Sequence, residues 1–421
     1  MMRAPRVGRA MTSFLSAAAF AAFFFWAVVA VASTLSAWRY VWGLPLAETP
    51  GRTPPVAVIV AVKGAGAATE AFLARLRAQD YPAYRVVAAV EHEDDPAFRL
   101  LADARAAPGA PLELVVAGRT QRGGQKVANL LAALERLGPG DEIVAFTDAD
   151  TLPGPRWLPR LVSALVDAHR DAATGYRWIL PADGRLSSCF VAAANASIVT
   201  MPRVAEAVNL CWGGSTALPR ATLERADVKA FWRGALSDDL QMTRALRAAA
   251  IAVHSPRQSL LLSPFSASWR EAFAFGRRQY RIVLLHEPLL WAFAVATLAL
   301  PLGCGLFALW LALHGDPAGL AFLIAAAALG DMRFRCRRRI VAALWPETAQ
   351  ADLRLYWRVE RFLRPLWQGF HLACALGALG SRRISWAGTE YLVRAPQDVD
   401  VLARRATFEA AAPQARVQSA D

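Results

Sequence analysis

Apolar residues recur along this chain in two distinct rhythms. In the middle, from residue 53 to residue 263, short apolar runs alternate with amphipathic stretches; at both ends long uncharged runs replace them. The run at 56–62 is apolar and rich in Val, as expected for a strand buried on both faces. Residues 67–78 predict a helix, 84–90 a second strand, 96–106 a helix, 112–117 a third strand, 124–137 a helix and 142–147 a fourth strand. Such alternation predicts an α/β domain with a mostly parallel sheet and helices on both faces. Ligands of such sheets bind at the carboxyl ends of the strands. Two acidic features fall at such ends: Glu91, Glu93, Asp94 and Asp95 after the second strand, and Asp148-Ala149-Asp150 after the fourth.

The long uncharged runs predict membrane elements. Residues 10–38 carry no charge and exceed the roughly 20 residues that a span needs. Arg3, Arg6 and Arg9 precede this run as they would in a secretory signal. A signal core, however, is only about 7–15 residues long, so an uncleaved anchor is expected. Residues 288–313 form a second run and 317–330 a third, shorter one. Arg333, Arg335 and Arg337–Arg339 follow it and argue for a cytoplasmic end there. Residues 352–366 place Leu355, Val359, Phe362 and Leu363 at helical spacing, which fits an amphipathic helix on the membrane surface or a helix packed on the domain. Residues 365–381 either span or re-enter. The expected organisation is an anchor at 10–38, an α/β domain at 53–285, a membrane region at 286–383 and a tail at 384–421, disordered after Arg404.

Composition agrees with this division. At 55% hydrophobic, with a mean hydropathy of +0.28, the chain is too apolar for a soluble domain and too polar to be membrane throughout. The net charge of +13 suggests nucleic acid. Yet no recognition helix, RNP or zinc pattern accompanies it, and much of the Arg flanks apolar runs; anionic lipid or a nucleotide diphosphate suits it better. The five cysteines have no metal spacing and are odd in number, which excludes a disulfide framework or zinc site.

Candidate chemistry follows the strand ends. Asp148 and Asp150, two residues apart on a strand, face one side and can converge on a divalent cation, Mg or Mn, that neutralises a diphosphate leaving group, or else cap the turn or helix that follows. Lys126 and Asn129 lie one helical turn apart after Gly123-Gly124, where a helix start favours anions. Asp238 and Asp239 offer a general base, or ordinary capping of the helix they begin. The stretch from Cys211 through Gly214 and Ser215 is either a loop on which a sugar lies against backbone or a simple turn. Arg278 and Arg281 share a helix face beside the second span, fit to clamp a diphosphate or to flank the membrane.

These motifs, in this order, resemble the family 2-type glycosyltransferases of GT-A fold, a Rossmann-like architecture, and are most similar to the branch of ceramide glucosyltransferases and hopanoid-associated bacterial enzymes (family 21-like). Val62-Lys63-Gly64 resembles the first-strand motif. Residues 90–96, with Glu91 and Asp94, resemble the nucleotide-binding acidic loop. Residues 125–130, with Lys126, resemble the Lys-containing helix. Asp148-Ala149-Asp150 matches the metal-binding DxD, Asp238-Asp239 the acidic pair with Asp239 at the position of the base, and residues 278–282 the (Q/R)xxRW motif, in which Ile282 stands where the family has Trp. The resemblance covers residues 50–290. It implies inverting transfer of a sugar from a nucleotide-sugar, a UDP-sugar, to a ceramide-like or hopanoid-like lipid hydroxyl, in a bacterial inner membrane with the catalytic domain cytoplasmic. Two rivals share the motifs: a processive polysaccharide synthase, and an idle protein that only binds nucleotide.

Overall fold

The computed structural model describes residues 6–44, 50–201, 206–348 and 352–405, with side chains from residue 21 onward. Helix α1 (Arg6–Trp42) leads into the α/β unit. There follow β1 (Val56–Ala61), α2 (Ala67–Leu76), β2 (Tyr84–Val90), α3 (Pro96–Ala106), β3 (Leu112–Val116), α4 (Gln125–Leu134), β4 (Ile143–Asp148) and α5 (Trp157–Val166). The second half of the unit contains β5 (Ala173–Thr174), β6 (Tyr176–Pro181), α6 (Leu186–Val199), β7 (Ser215–Pro219), α7 (Arg220–Arg225), α8 (Val228–Trp232), α9 (Asp238–Ala248) and β8 (Leu260–Phe265). Then come α10 (Trp269–His286), α11 (Pro288–Leu313), α12 (Pro317–Leu344), α13 (Arg354–Phe362) and α14 (Arg364–Leu376). Three strands, β9 (Arg383–Trp386), β10 (Thr389–Ala395) and β11 (Asp398–Arg404), complete the described chain.

The main sheet has the order β3-β2-β1-β4-β7-β5. Its first four strands are parallel, and β7 joins β4 antiparallel. This is the doubly wound arrangement that the alternating pattern predicts. The alternation within β1 shows why: Val56, Val58 and Val60 pack with Phe72, Leu158 and Leu161 on one face, while Ala57 and Ile59 pack with Val127, Leu130 and Trp232 on the other. With both faces covered, nearly every residue of the strand is apolar.

Among the described residues three helices are long and apolar enough to cross a membrane: Ala21–Trp42 within α1, α11, and α12. They pack on one another, with Trp26 of α1 against Phe322 of α12 at 4.2 Å between ring centres. The third expected run is longer than its uncharged part, because α12 continues unbroken to Leu344 and carries Arg333–Arg339 within the helix.

Two expectations are corrected. Residues 352–366 are not one amphipathic helix. The helix breaks at Leu363, and Pro365, which has no N–H with which to continue a helix from α13, stands in the first turn of a second one. The short α13 turns Tyr356 and Val359 into a core shared with α6, where Glu360 pairs with Arg337 at 2.8 Å. At about 1.5 Å per residue α14 is near 20 Å long, too short for a roughly 30 Å hydrocarbon core. It packs instead between α10, α11 and α6.

Residues 384–404, expected as tail, form an antiparallel sheet with β9 and β10 joined at Ala387-Gly388. Both turn residues have positive φ, 47° and 78°, as a type I′ hairpin requires. Tyr391, Val393 and Val399 close a small core with Leu236. Backbone and side-chain bonds tie the sheet to the α/β unit: Gly123 N to Val399 O at 2.8 Å, Gln241 Nε2 to Pro396 O at 2.8 Å and Gln397 Nε2 to Ala230 O at 2.8 Å. Residues beyond 405, read as disordered, lie outside the described residues.

Candidate active site at the carboxyl edge of the sheet

Strand register builds the site. Ala61 of β1 lies level with Ala89 of β2 and Asp148 of β4. The residues that leave these strands therefore reach the same edge, and Lys63 meets Glu91 there at 3.4 Å. Helix α4 begins close to the loop before α9, because Gly124 N donates to Ala235 O at 2.7 Å. A Cβ on Gly124 would stand 2.9 Å from Leu236 O, so a side chain is excluded there. This contact delivers Lys126 to the acidic groups. Its Nζ lies 2.6 Å from Asp148 Oδ1 and 2.9 Å from Asp238 Oδ2. Gly213 completes the fit, since a Cβ there would fall 2.0 Å from Asp238 Oδ2 and 3.1 Å from Lys126 Nζ.

Ser237 caps α9, and Asp238 and Asp239 occupy its first turn, where the helix dipole favours negative charge. The two carboxylates are used differently. Asp238 is buried and its Oδ2 is held by Lys126. Asp239 is half-buried on the cavity wall. Its Oδ1 accepts from Leu240 N at 2.8 Å and from the Ser237 hydroxyl. Its Oδ2 makes no hydrogen bond among the described residues.

Arg177 on β6 was not singled out from the sequence, yet it is central. Its Nη2 donates to Asp150 Oδ1 at 3.0 Å and Oδ2 at 2.9 Å, and lies 3.9 Å from Asp148. Its guanidinium stacks over Trp212, 5.2 Å from the ring centre. The available signal was one arginine inside the otherwise apolar run 176–181. Arg404 of β11 was likewise missed; it reaches Glu91 at 3.5 Å and Gln125 Oε1 at 2.9 Å.

Electrostatics follow from burial and pairing. Burial pushes Asp148 and Asp238 above the usual carboxylate range, against the pull of Lys126, and neighbouring carboxylates add to the rise. Burial would raise Asp150 as well, but Arg177 outweighs it and holds that carboxyl below the usual range. Burial disfavours the charged form of Lys126, yet Asp148 and Asp238 overcome this and raise it. Arg278 lies between the rings of Phe275 and Trp386, 5.5 Å from each centre. Burial, with Arg177 nearby, lowers it to about 10. Trp386 and Ile282 both pack on the small core of Tyr391, Val393 and Val399 and both line the cavity, so an indole stands at this wall although position 282 lacks one.

Lys63, Glu91, Lys126, Asn129, Asp148, Asp150, Asp238, Asp239 and Arg278 all line one cavity. Four expected residues do not, and each has a structural occupation. Asp94 is exposed and pairs with His92 at 3.0 Å. Gly214 lies against the Trp212 indole. Ser215 is fully buried on β7 and accepts from Trp157 Nε1 at 2.9 Å. Arg281 is buried and spends its donors on carbonyls, with Nε to Ala378 O at 3.2 Å, Nη2 to Gly377 O at 3.1 Å and Nη1 to Arg383 O at 2.8 Å. It ties the end of α14 and the start of β9 to α10 rather than facing a ligand.

Asp148 and Asp150 fit a hard divalent cation in donor type, because both present carboxylate oxygen to the cavity. No cluster of three or more metal-ligating side chains exists among the described residues. Two carboxylates suffice for an ion that takes its remaining ligands from water and a diphosphate. The positive groups at their oxygens, Lys126 and Arg177, already show that the pair attracts cationic charge.

The cavity measures about 1570 Å3. Its wall runs from these acidic groups to Trp26, Phe293, Leu298 and Phe322 on the three long apolar helices. The family model described as Glycosyl transferase family 21 matches residues 22–399. Among solved structures, the mannosyltransferase PcManGT from Pyrobaculum calidifontis, in complex with GDP-Man and Mn2+, is similar at 21% identity over 85% of this chain and 98% of that one, with a TM-score of 0.45. TarS from S. aureus is similar at 14% identity over 83% and 100%, with a TM-score of 0.35. Glucosyl-3-phosphoglycerate synthase from Mycobacterium tuberculosis is similar at 15% identity over 56% and 85%, with a TM-score of 0.36. At this similarity nothing of their ligands is carried over to this chain. No curated protein matches the chain.

Proposed function

Because the chain belongs to glycosyl transferase family 21, we propose that it is a membrane-bound inverting enzyme that transfers a sugar from a nucleotide-sugar, a UDP-sugar, to a lipid hydroxyl. The observation that carries the lipid reading is the continuous wall of the cavity. One end holds the acidic cluster, and the other is bounded by apolar faces of α1, α11 and α12. An amphiphile can enter sideways from the bilayer and place its hydroxyl at the acids.

Lys126 faces the position of the donor diphosphate as a fixed positive charge, and Arg278 faces it as a planar donor. Asp148 and Asp150 would hold a divalent cation, which when bound supplies positive charge to the departing diphosphate. Asp239, with Oδ1 fixed by Leu240 and Ser237, keeps Oδ2 for the acceptor hydroxyl. It takes that proton as the hydroxyl oxygen bonds to the anomeric carbon and the nucleoside diphosphate leaves from the opposite face, which inverts the centre. Asp238 positions Lys126, and because its buried Oδ2 is already engaged by that ammonium it is less accessible to an acceptor hydroxyl than Asp239.

Membranes containing the protein, incubated with a panel of labelled nucleotide-sugars, are expected to yield label that extracts into organic solvent. Label confined to a long polymer would establish the processive reading instead. Donor binding without turnover, in the presence of Mn2+ and a lipid extract, would leave only a nucleotide-binding protein.

A further inference from the structure

A second group of charges lies at the other end of the cavity, away from the acids. Five of its wall residues are Asp331, Arg333, Arg337, Arg361 and Arg364. Most are neutralised within the protein. Arg337 pairs with Glu360 at 2.8 Å, both of them buried, and Arg361 pairs with Asp331 at 2.8 Å. Among the described residues Arg333 and Arg364 form no ion pair of their own. Arg333 donates to Ala30 O at 3.0 Å and to Thr34 Oγ1 at 2.8 Å, both on α1, and its charged neighbours are Arg364 and Arg337. Arg364 makes no hydrogen bond or ion pair with any described residue. Burial, reinforced by Arg337, lowers it to about 10 against the pull of Glu360 and Asp331.

The arrangement is specific in its sterics. The Arg364 guanidinium lies directly over Gly330 of α12, where a Cβ would come within 1.7 Å of Nη1. Only glycine at 330 leaves that place open. Here four arginines, Arg333, Arg337, Arg361 and Arg364, share two acids, Glu360 and Asp331, and positive charge left over in a partly dehydrated place calls for an anion. Depth indicates which. Arg333 is the seventeenth residue of α12, about 24 Å along the axis from Pro317, where a span of roughly 30 Å nears its far edge. Lipid phosphates lie at such an edge. Above it, Trp26 of α1 and Phe322 and Leu323 of α12 line the same cavity with apolar surface suited to a hydrocarbon chain.

We propose that Arg333 and Arg364 form a binding site for the phosphate headgroup of one anionic lipid at the membrane mouth of the cavity. The inference rests on reading the cavity as a lipid path, and not on the catalytic assignments. A soluble phosphate offers the same chemistry without the chain, and the test separates the two.

Purified protein in detergent is titrated with phosphatidylglycerol, and lipid retention is measured by native mass spectrometry alongside donor binding. The wild type is expected to retain one phosphatidylglycerol in preference to a neutral diacylglycerol. Arg364→Gln should weaken that retention about ten-fold or more, the value of one charge-assisted contact. Gly330→Ala should do the same at unchanged net charge, by displacing the guanidinium. Arg338→Gln, which removes a charge from the same helix, should not. Equal retention by Arg364→Gln, or equal retention of the neutral lipid, overturns the site. Displacement of the lipid by 10 mM inorganic phosphate overturns its assignment to a lipid. Nucleotide-sugar affinity is expected to stay at the wild-type value in Arg364→Gln. A failure of donor binding in the wild type would strike the proposed enzymatic function and leave lipid retention to be judged by itself.

Discussion

Lys126 holds the candidate site together, and its replacement by methionine is the most direct test of the electrostatics. Its Nζ lies 2.6 Å from Asp148 and 2.9 Å from Asp238, whose side chains are 18% and 5% exposed. At such separations and an effective dielectric of 20, each attraction is about 6 kcal/mol before desolvation. Burial of the ammonium offsets much of this, and deletion of one partner from a buried pair typically costs about 3–5 kcal/mol. Lys126 is itself 19% exposed, so the low end applies, about 3 kcal/mol. For a unit of this size that lowers the unfolding midpoint by about 6–12 °C. The sign with pH is fixed. Without Lys126, Asp148 and Asp238 gain still higher folded pKa values, so the folded state holds more protons than the unfolded state between about pH 4 and that raised value. Stability of the variant therefore falls as pH rises, and its deficit is smaller at pH 5 than at pH 8. Tryptophan fluorescence melts of the detergent-solubilised protein at both values provide the assay. Lys126→Met combined with Asp238→Asn should regain part of the loss, because the two sites are in contact. A single variant that melts with the wild type at both pH values, or a double variant with strictly additive losses, would refute the reasoning.

Further outcomes follow from the same geometry. Asp239→Asn should lower turnover by about 10²–10⁴ with donor affinity within a few-fold of wild type, while Asp238→Asn should weaken donor binding as well; near-normal turnover in Asp239→Asn rules out that base. Arg281→Met should lose about 3 kcal/mol of stability, because three carbonyls, that of buried Ala378 among them, lose their donor, whereas Arg278→Met should melt normally and bind nucleotide-sugar about ten-fold more weakly; parallel melts with reversed donor affinities would contradict the division of roles. Gly213→Ala, by driving a methyl into Asp238 and Lys126, should weaken donor binding, and unchanged affinity would show that the pair is loosely held. His371 is buried beside Tyr280 and burial lowers it to about 4. Since the unfolded ring takes its proton near pH 6.5, its contribution of about 3 kcal/mol is complete above that pH and is lost as pH falls toward 4. A His371→Leu melt series should be flatter than wild type over that window, and parallel curves would count against a neutral buried ring.

Much of the α/β unit was legible because its strands are buried on both faces. Runs such as 56–62 cannot be mistaken for amphipathic helices, and the glycines at 123–124 mark the start of α4. The DxD and the acidic pair were legible for a related reason: carboxylates that follow an apolar strand, or begin a helix, stand out locally. The missed residues lacked such a signal. Arg177 is one charge in a short strand, and its partner Asp150 is 27 positions away. Arg281 carries the same motif spacing as Arg278, yet the carbonyls of the α14 terminus claim it, and that terminus lies almost a hundred residues along the chain.

The sequence by itself therefore determined the first four strands with the helices between them, their parallel sheet and the long apolar runs, because each is set by the local period and length of apolar stretches. Only the tertiary structure decided which charges meet. It turned residues 384–404 from an expected tail into a wall of the site, placed Lys126 between two acids from different elements, and joined the acidic edge to the apolar helices through one cavity. The physical reason is range: periodicity is written within a few turns of chain, whereas ion pairing and cavity walls depend on contacts between residues up to some 300 positions apart, such as Arg333 with Ala30.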